Sequence, residues 1–210
     1  MADTVAGLAE TVTVIGTGSA EAAPNLLVAT FGAELRADSV TEALDGAVRS
    51  MADVIARLRA GGVGDLDLNT GSASIRSMLD EDGQVAGYTA SQRLTARLRN
   101  LAVAGALVSE AVTAGGDAAR LYGLAFALSD TRVVDEWARV QAWQDARAKA
   151  GQLATLAGRT LGPVRRMRET GSGAAARAHA VPLGMGSSMP LEPGTETVHV
   201  SIEVEWAFLP

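Results

Sequence analysis

The sequence contains no cysteine. That excludes thiolate nucleophiles, cysteine-based zinc sites and disulfide staples, and leaves the compartment open, because a thiol-free chain is stable in either redox environment. Lysine is nearly missing too: Lys149 stands alone among eighteen basic residues, and the other seventeen are arginines. They are spread along a chain of net charge −6, so the clustered positive charge of a nucleic-acid footprint is lacking and no nucleic-acid partner is expected. No apolar run approaches the roughly 20 residues that cross a bilayer. The opening MADTVAGLAE has neither a basic n-region nor an apolar h-region, so a signal peptide is not expected in this chain. The expected address as it stands is cytoplasmic, with export to the periplasm as the alternative if a leader was removed.

What is present is alternation and helical periodicity. The 210 residues suit a single domain spanning 1–210, able to bury roughly 70% of the surface its unfolded chain exposes. Residues 1–10 read as a tail. Thr11 to Gly18 reads as a short strand closed by glycine and the SAEAAPN turn. Leu27, Ala29, Phe31, Ala33 and Leu35 give a second strand one apolar face. Ser39 and Glu42 then form a capping box. Val40, Ala43, Leu44, Ala47, Val48, Met51, Val54, Ile55 and Leu58 follow at helical spacing until Gly61-Gly62. Asp45/Arg49 and Asp53/Arg57 sit four apart on the other side of that helix.

Two strands, near Asp65–Leu79 and Val85–Arg99, flank Glu81-Asp82-Gly83-Gln84, a hairpin signal. In the second of them Tyr88, Ala90, Leu94, Ala96 and Leu98 face one way. Thr89, Ser91, Arg93, Thr95, Arg97 and Arg99 face the other. Asn100 can cap a second helix that ends at Gly115-Gly116. Leu121–Leu128 is apolar on both faces, which suits a central strand.

Ser129 or Asp130 can cap a long alanine-rich third helix, marked on its outer side by Asp135/Arg139 and Asp145/Lys149. It breaks at Gly158, and a strand follows from Leu161 to Glu169, with Pro163 fit only for an edge or a strand start. Residues 171–194 are rich in Gly, Ala, Ser, Pro and Met and read as a long loop. Glu196–Phe208 closes the chain with Val198, Val200, Ile202, Val204 and Trp206 on one face.

The order from Leu26 to Leu128 is β-α-β-β-α-β, a ferredoxin-like core. The expected class is α+β with a mostly antiparallel sheet, terminal strands and the long third helix added to that core. The first and last strands are expected to pair, since both chain ends need anchoring.

Several segments taken in order resemble the SIMPL domain. They are VTVIGTGSAEAAPN, Gly61-Gly62-Val63, Leu68-Asn69-Thr70, Gly87-Tyr88-Thr89-Ala90-Ser91, Ala114-Gly115-Gly116, DARAKAGQLATLAGRTLG and Pro193-Gly194. The resemblance runs from about Thr11 to Leu209. It implies one SIMPL-like domain from a mostly bacterial family that includes oxidative stress defence proteins, periplasmic immunogenic proteins and an adaptor in a eukaryotic kinase pathway. Such a protein is expected to be exported, non-enzymatic and self-assembling. The family supplies no catalytic residues to carry over. This chain has Pro24-Asn25 where the family usually has Pro-Asp, and no leader is expected within it.

No reactive constellation emerges beside that resemblance, so no catalytic residue, cofactor or metal is expected. Gly16-Thr17-Gly18-Ser19-Ala20-Glu21 fails as a dinucleotide loop, because Glu21 stands where a small residue is required and Pro24 where a helix should run. His199, Glu203 and Glu205 share a strand face, but alternate residues lie roughly 6.8 Å apart, too far to grip one metal without another strand. His179 has no ligand at metal-site spacing. Asp65 with Asp67, and Glu81 with Asp82, sit beside turns, where solvated carboxylates are ordinary. Arg165, Arg166 and Arg168 suit a solvated strand face better than an anion site.

Met185 and Met189 in the loop offer adaptable, oxidisable contacts for a partner. Trp137 and Trp143 project about 120° apart on the third helix. Either one is core and the other faces a partner, or both are partly buried within the chain.

The leading expectation is therefore a non-enzymatic structural or interaction protein that forms a homo-oligomer, linked to envelope or oxidative stress protection. The alternative is a small-ligand or peptide binder that uses the Arg93, Arg97, Arg99 strand face for an acidic partner. Third comes an enzyme whose pocket the linear sequence hides.

Overall fold

The computed structural model describes residues 10–174 and 192–209. Among them the class is α+β, with every strand pairing antiparallel. The elements are β1 (Thr11–Ala22), β2 (Leu26–Ala37), α1 (Val40–Ala60), β3 (Leu68–Leu79), β4 (Val85–Leu98), α2 (Leu101–Ala114), β5 (Ala119–Ala127), α3 (Arg132–Leu156), β6 (Thr160–Ala174) and β7 (Glu196–Leu209). They fall into two compact units, one centred on β1, α3, β6 and β7, the other on residues 24–129.

In the second unit the strand order is β3-β4-β2-β5. Residues 27, 29, 31 and 33 of β2 stand opposite 98, 96, 94 and the helix-side positions of β5, so one face of the sheet collects the apolar set. That face is sealed by Ala43, Ala47, Met51, Val54 and Leu58 of α1 and by Ala104, Leu107, Val108 and Ala111 of α2. Ser39 caps α1 by accepting a hydrogen bond from the Glu42 amide, 3.2 Å, as the capping box predicts. Asn100 occupies the cap position of α2, yet its side chain makes no capping bond.

Val40, Leu44 and Val48 are exposed, although their spacing groups them with the core. Nine apolar positions span a wider arc of α1 than its contact face can cover. Arg57 also departs from the expected partner four residues away; it pairs with Glu110 on α2. Asp65–Asp67 form a turn of 3-10 helix, and β3 begins only at Leu68. The hairpin turn between β3 and β4 is closed by Asp80, whose carboxylate accepts from the amides of Asp82 and Gln84 at 3.0 and 2.8 Å.

β5 is an edge strand, bonded only to β2, where its apolar composition suggested a central one. Its helix-side residue Leu124 is buried, while Tyr122 and Gly123 are exposed. The run LYGLAFAL reads as two-sided because glycine and alanine count as apolar without requiring burial.

In the first unit the order is β1-β7-β6. The terminal strands pair in register from Thr11↔Ala207 to Ala22↔Glu196, as expected, and with β6 they form a sheet of their own. β1 is longer than the sequence suggests, because Gly16 and Gly18 are mid-strand rather than turn residues. β6 begins at Thr160 and reaches Ala174, taking in the start of the expected loop. Pro163 falls in a register shift on this edge strand, where no ladder donor is lost.

One face of the sheet presents Val14, Val200, Ile202, Val204 and Trp206 to α3. The helix answers with Ala138, Ala142, Ala146, Ala150 and Ala154, all buried. Alanines every fourth position form one ridge, and with no side chain beyond Cβ they let the helix backbone settle onto the strand. A Cβ added at Gly16 would lie 2.1 Å from the Ala142 carbonyl oxygen, and one at Gly18 would lie 2.1 Å from that of Ala138. No side chain fits there without moving the helix.

α3 starts at Thr131 in the cap position, later than Ser129 or Asp130. The Ser129 amide is taken by the Asn25 side chain at 2.8 Å, and Asp130 accepts from the Arg132 amide at 3.0 Å. Arg132 also holds the Asp130 carboxyl down to about 2 through a side-chain hydrogen bond. The helix ends where Gly158 takes a positive φ of 65°.

The Gly16→Ala variant should lose roughly 1–3 kcal/mol of unfolding free energy, because backbone must shift to admit one methyl group. Gly151→Ala, in open space on the same helix, should gain roughly 0.5–1 kcal/mol. Urea denaturation of the two variants checks this. Equal midpoints would contradict the close approach of helix and strand.

Candidate functional site

The two units present separate surfaces. In the first, α3 has two unlike sides. Its alanine ridge faces the sheet, and Trp143 lies against Trp206 with ring centroids 5.7 Å apart and planes at 36°. Val133, Trp137 and Val140 recur at i, i+4 and i+7 on the opposite side. They are 63%, 61% and 47% exposed. The two tryptophans are unlike: Trp143 packs, partly buried, against the core, and Trp137 stands in solvent.

The free edge of β1 is closed by the same helix. Asp145 accepts from the Thr17 amide at 2.8 Å, Lys149 donates to the Ile15 carbonyl at 3.1 Å, and the two side chains pair at 2.6 Å. This satisfies backbone groups that would otherwise invite another strand. The Lys149 ammonium, seconded by the Thr17 amide, holds the Asp145 carboxyl below its usual value. Arg139 pairs with Glu169 of β6 at 2.9 Å, in place of the Asp135 expected from spacing. Asp135 accepts instead from Thr131 at 2.9 Å.

His199 sits beside Thr17, Ser19 and Gln141 around an open, shallow depression of about 250 Å³. Among the described residues, no three His, Asp or Glu side chains gather as metal ligands. On β6, Arg168 pairs with Glu203 at 3.3 Å, and Arg166 stands opposite Glu205 in the strand register without an ion pair; Arg165 and Arg166 are exposed.

In the second unit, the helix-free face of the sheet holds two of the three arginines that alternation singles out, Arg93 and Arg97. Thr30 stands opposite Gly123 and Phe31 opposite Leu121, so Tyr122 is the extra residue of a bulge in β5. The bulge aims its ring across Gly32 of β2; a Cβ there would lie 2.2 Å from the ring. Beyond the glycine, the Arg93 guanidinium stacks on that ring, 4.5 Å from its centroid. Sequence reasoning did not anticipate Tyr122. Its signal was the glycine at position 32 in an otherwise filled strand.

Arg97 is exposed on the same face. Arg99 differs, because it grips Asp67 with two hydrogen bonds of 2.8 and 2.7 Å. The Asp67 side chain is only 14% exposed. Its carboxyl lies below its usual value, chiefly through the Arg99 hydrogen bonds, and Arg97 adds a smaller attraction. Asp65 is occupied by Arg59 at 2.9 Å. Met185 and Met189, the other expected partner-binding residues, lie outside the described residues.

Against known proteins, the chain matches the family model for SIMPL, described as a protein of unknown function (DUF541), over residues 12–206. Two similar proteins are each called 26 kDa periplasmic immunogenic protein, from Brucella melitensis and Brucella abortus. Each is 30% identical over 163 residues, which cover 73% of this chain and 64% of the relative. The chain thus spans less than two thirds of the length of the curated relatives it matches.

The Asp67→Asn variant should be less stable than the parent at pH 7. A carboxylate held below its usual value of about 3.9 adds stability above that value and loses it as pH falls through its lowered folded-state value. The melting-temperature gap between parent and variant should therefore close as the pH falls below about 4. A gap that stays constant over this range would separate Asp67 from the Arg99 pair.

Proposed function

The chain belongs to the SIMPL family, and from that premise we propose that it is a non-enzymatic interaction protein that assembles with copies of itself through the outer side of α3. The observation that carries this reading is Trp137, 61% exposed between Val133 and Val140 on a helix whose other side is already packed. A large aromatic flanked by aliphatic residues is the usual centre of a protein–protein contact, where tryptophan contributes most of the binding free energy. The alanine ridge makes the outward placement of this stripe obligatory: turning α3 to bury Trp137 would force a bulky ring into the space that Gly16 and Gly18 keep for backbone.

The address that goes with this reading is the cell envelope. The relatives' name, periplasmic immunogenic protein, supports the exported alternative over the cytoplasmic one. No helix among the described residues is long and apolar enough to cross a membrane. Protection of the envelope under oxidative stress is the role this reading assigns to the assembly.

Light scattering at micromolar concentration should give a multiple of 21.5 kDa for the parent. The Trp137→Glu variant should weaken assembly by roughly 30- to 1000-fold, the equivalent of about 2–4 kcal/mol at a contact centre. A parent that scatters as a 21.5 kDa particle at every accessible concentration removes the proposal.

A further inference from the structure

We infer that the helix-free face of the β3-β4-β2-β5 sheet binds an extended acidic peptide, with Arg93 and Arg97 as the principal contacts. Residues opposite one another in neighbouring strands share a face, so the registers define the surface. Arg76, Thr89 and Arg36 form one cross-strand row, Arg93, Gly32 and Arg120 a second, and Arg97 with Val28 a third. Along β4 these rows lie at residues 89, 93 and 97. Each step of four residues is about 13–14 Å. Between them stand Ser91 and Thr95, with Glu34 the acid opposite Ser91.

Two independent observations mark the surface as a binding face. The first is unspent charge. Eight basic residues of the described chain form ion pairs; of the nine arginines that form none, Arg36, Arg76, Arg93, Arg97 and Arg120 gather on this one face, Arg120 donating only to the Asp117 and Ala119 backbone carbonyls, while Arg49, Arg147, Arg165 and Arg166 lie elsewhere. In a chain of net charge −6, five such arginines on one sheet face are a local inversion of sign. The second is preorganisation. The bulge, Gly32 and the Tyr122 ring hold the Arg93 guanidinium in place, which lowers the entropy lost when a carboxylate docks.

The chemistry favours a peptide over other anions. Tyr122 already carries Arg93 on its ring, so the stacking platform that unpaired bases need is taken. A flat face with guanidinium rows at four-residue spacing matches the repeat of an extended chain, whose acids at i and i+4 would meet successive rows. Serine and threonine hydroxyls between the rows can donate to its backbone carbonyls.

Fluorescence anisotropy of the full chain with a short labelled peptide of alternating glutamate and serine tests this. The parent should bind it, more weakly as salt is raised. The Arg93→Gln/Arg97→Gln double variant should bind roughly tenfold more weakly. Arg57→Gln/Arg132→Gln, which removes the same charge elsewhere, should bind like the parent. Circular dichroism melts identify folded variants, and Arg36→Gln/Arg76→Gln supplies a second pair on the same face. The inference is overturned if the parent does not bind the peptide, or if both folded pairs on this face bind like the parent. Equal losses in the control variant, or binding of single-stranded DNA or phosphatidylglycerol vesicles as tight as that of the peptide, overturn it as well. None of these readouts depends on the assembly state.

Discussion

The close approach of a helix backbone to a strand governs the first unit. Gly16 and Gly18 remove two side chains from β1, and five alanines remove the bulk from one side of α3. Where two backbones come this near, small packing differences have no slack to absorb them. Helix rotation is therefore fixed, and with it the identity of the outward residues. Asp145 and Lys149 reach the free edge of β1 only because of this placement, and they cover groups that would otherwise attract another strand. Trp143 meets Trp206 for the same reason, and Trp137 is left outside.

The second unit solves a different problem. Its two helices cover one face of a four-stranded sheet, and the other face is polar. Antiparallel sheets commonly tolerate this asymmetry. Here the polar face is not neutral: five arginines share it, and none of them meets a carboxylate at ion-pair distance among the described residues. One of the alternating arginines, Arg99, is spent on tying the end of β4 to the turn before β3. The remaining pair, Arg93 and Arg97, forms no ion pair among the described residues, and a bulged tyrosine orders Arg93.

Much of this was legible in the sequence. Alternation located β2, β4 and β7, the Ser39–Glu42 box located the start of α1, and Gly158 located the end of α3. The failures have physical causes. Gly16 and Gly18 look like punctuation in β1, since local sequence cannot show that a helix packs on them. Edge and centre are indistinguishable in the sequence of β5, because its alanines and glycine are compatible with either. Arg57 and Arg139 found Glu110 and Glu169 in place of neighbours on their own helix, and such cross-element pairs have no fixed spacing in sequence. The candidate face was half legible. Arg93 and Arg97 followed from strand alternation, but the Tyr122 bulge depends on a register that only pairing reveals.

The functional account rests on Trp137 meeting another copy of the chain, and its solvent access reports that directly. Hydroxyl-radical footprinting at high and at very low protein concentration compares the three tryptophans in one experiment. The account predicts that Trp137 is protected when the protein is concentrated and becomes reactive on dilution, while Trp143 and Trp206 stay protected throughout. A Trp137 that reacts equally at both concentrations would contradict it.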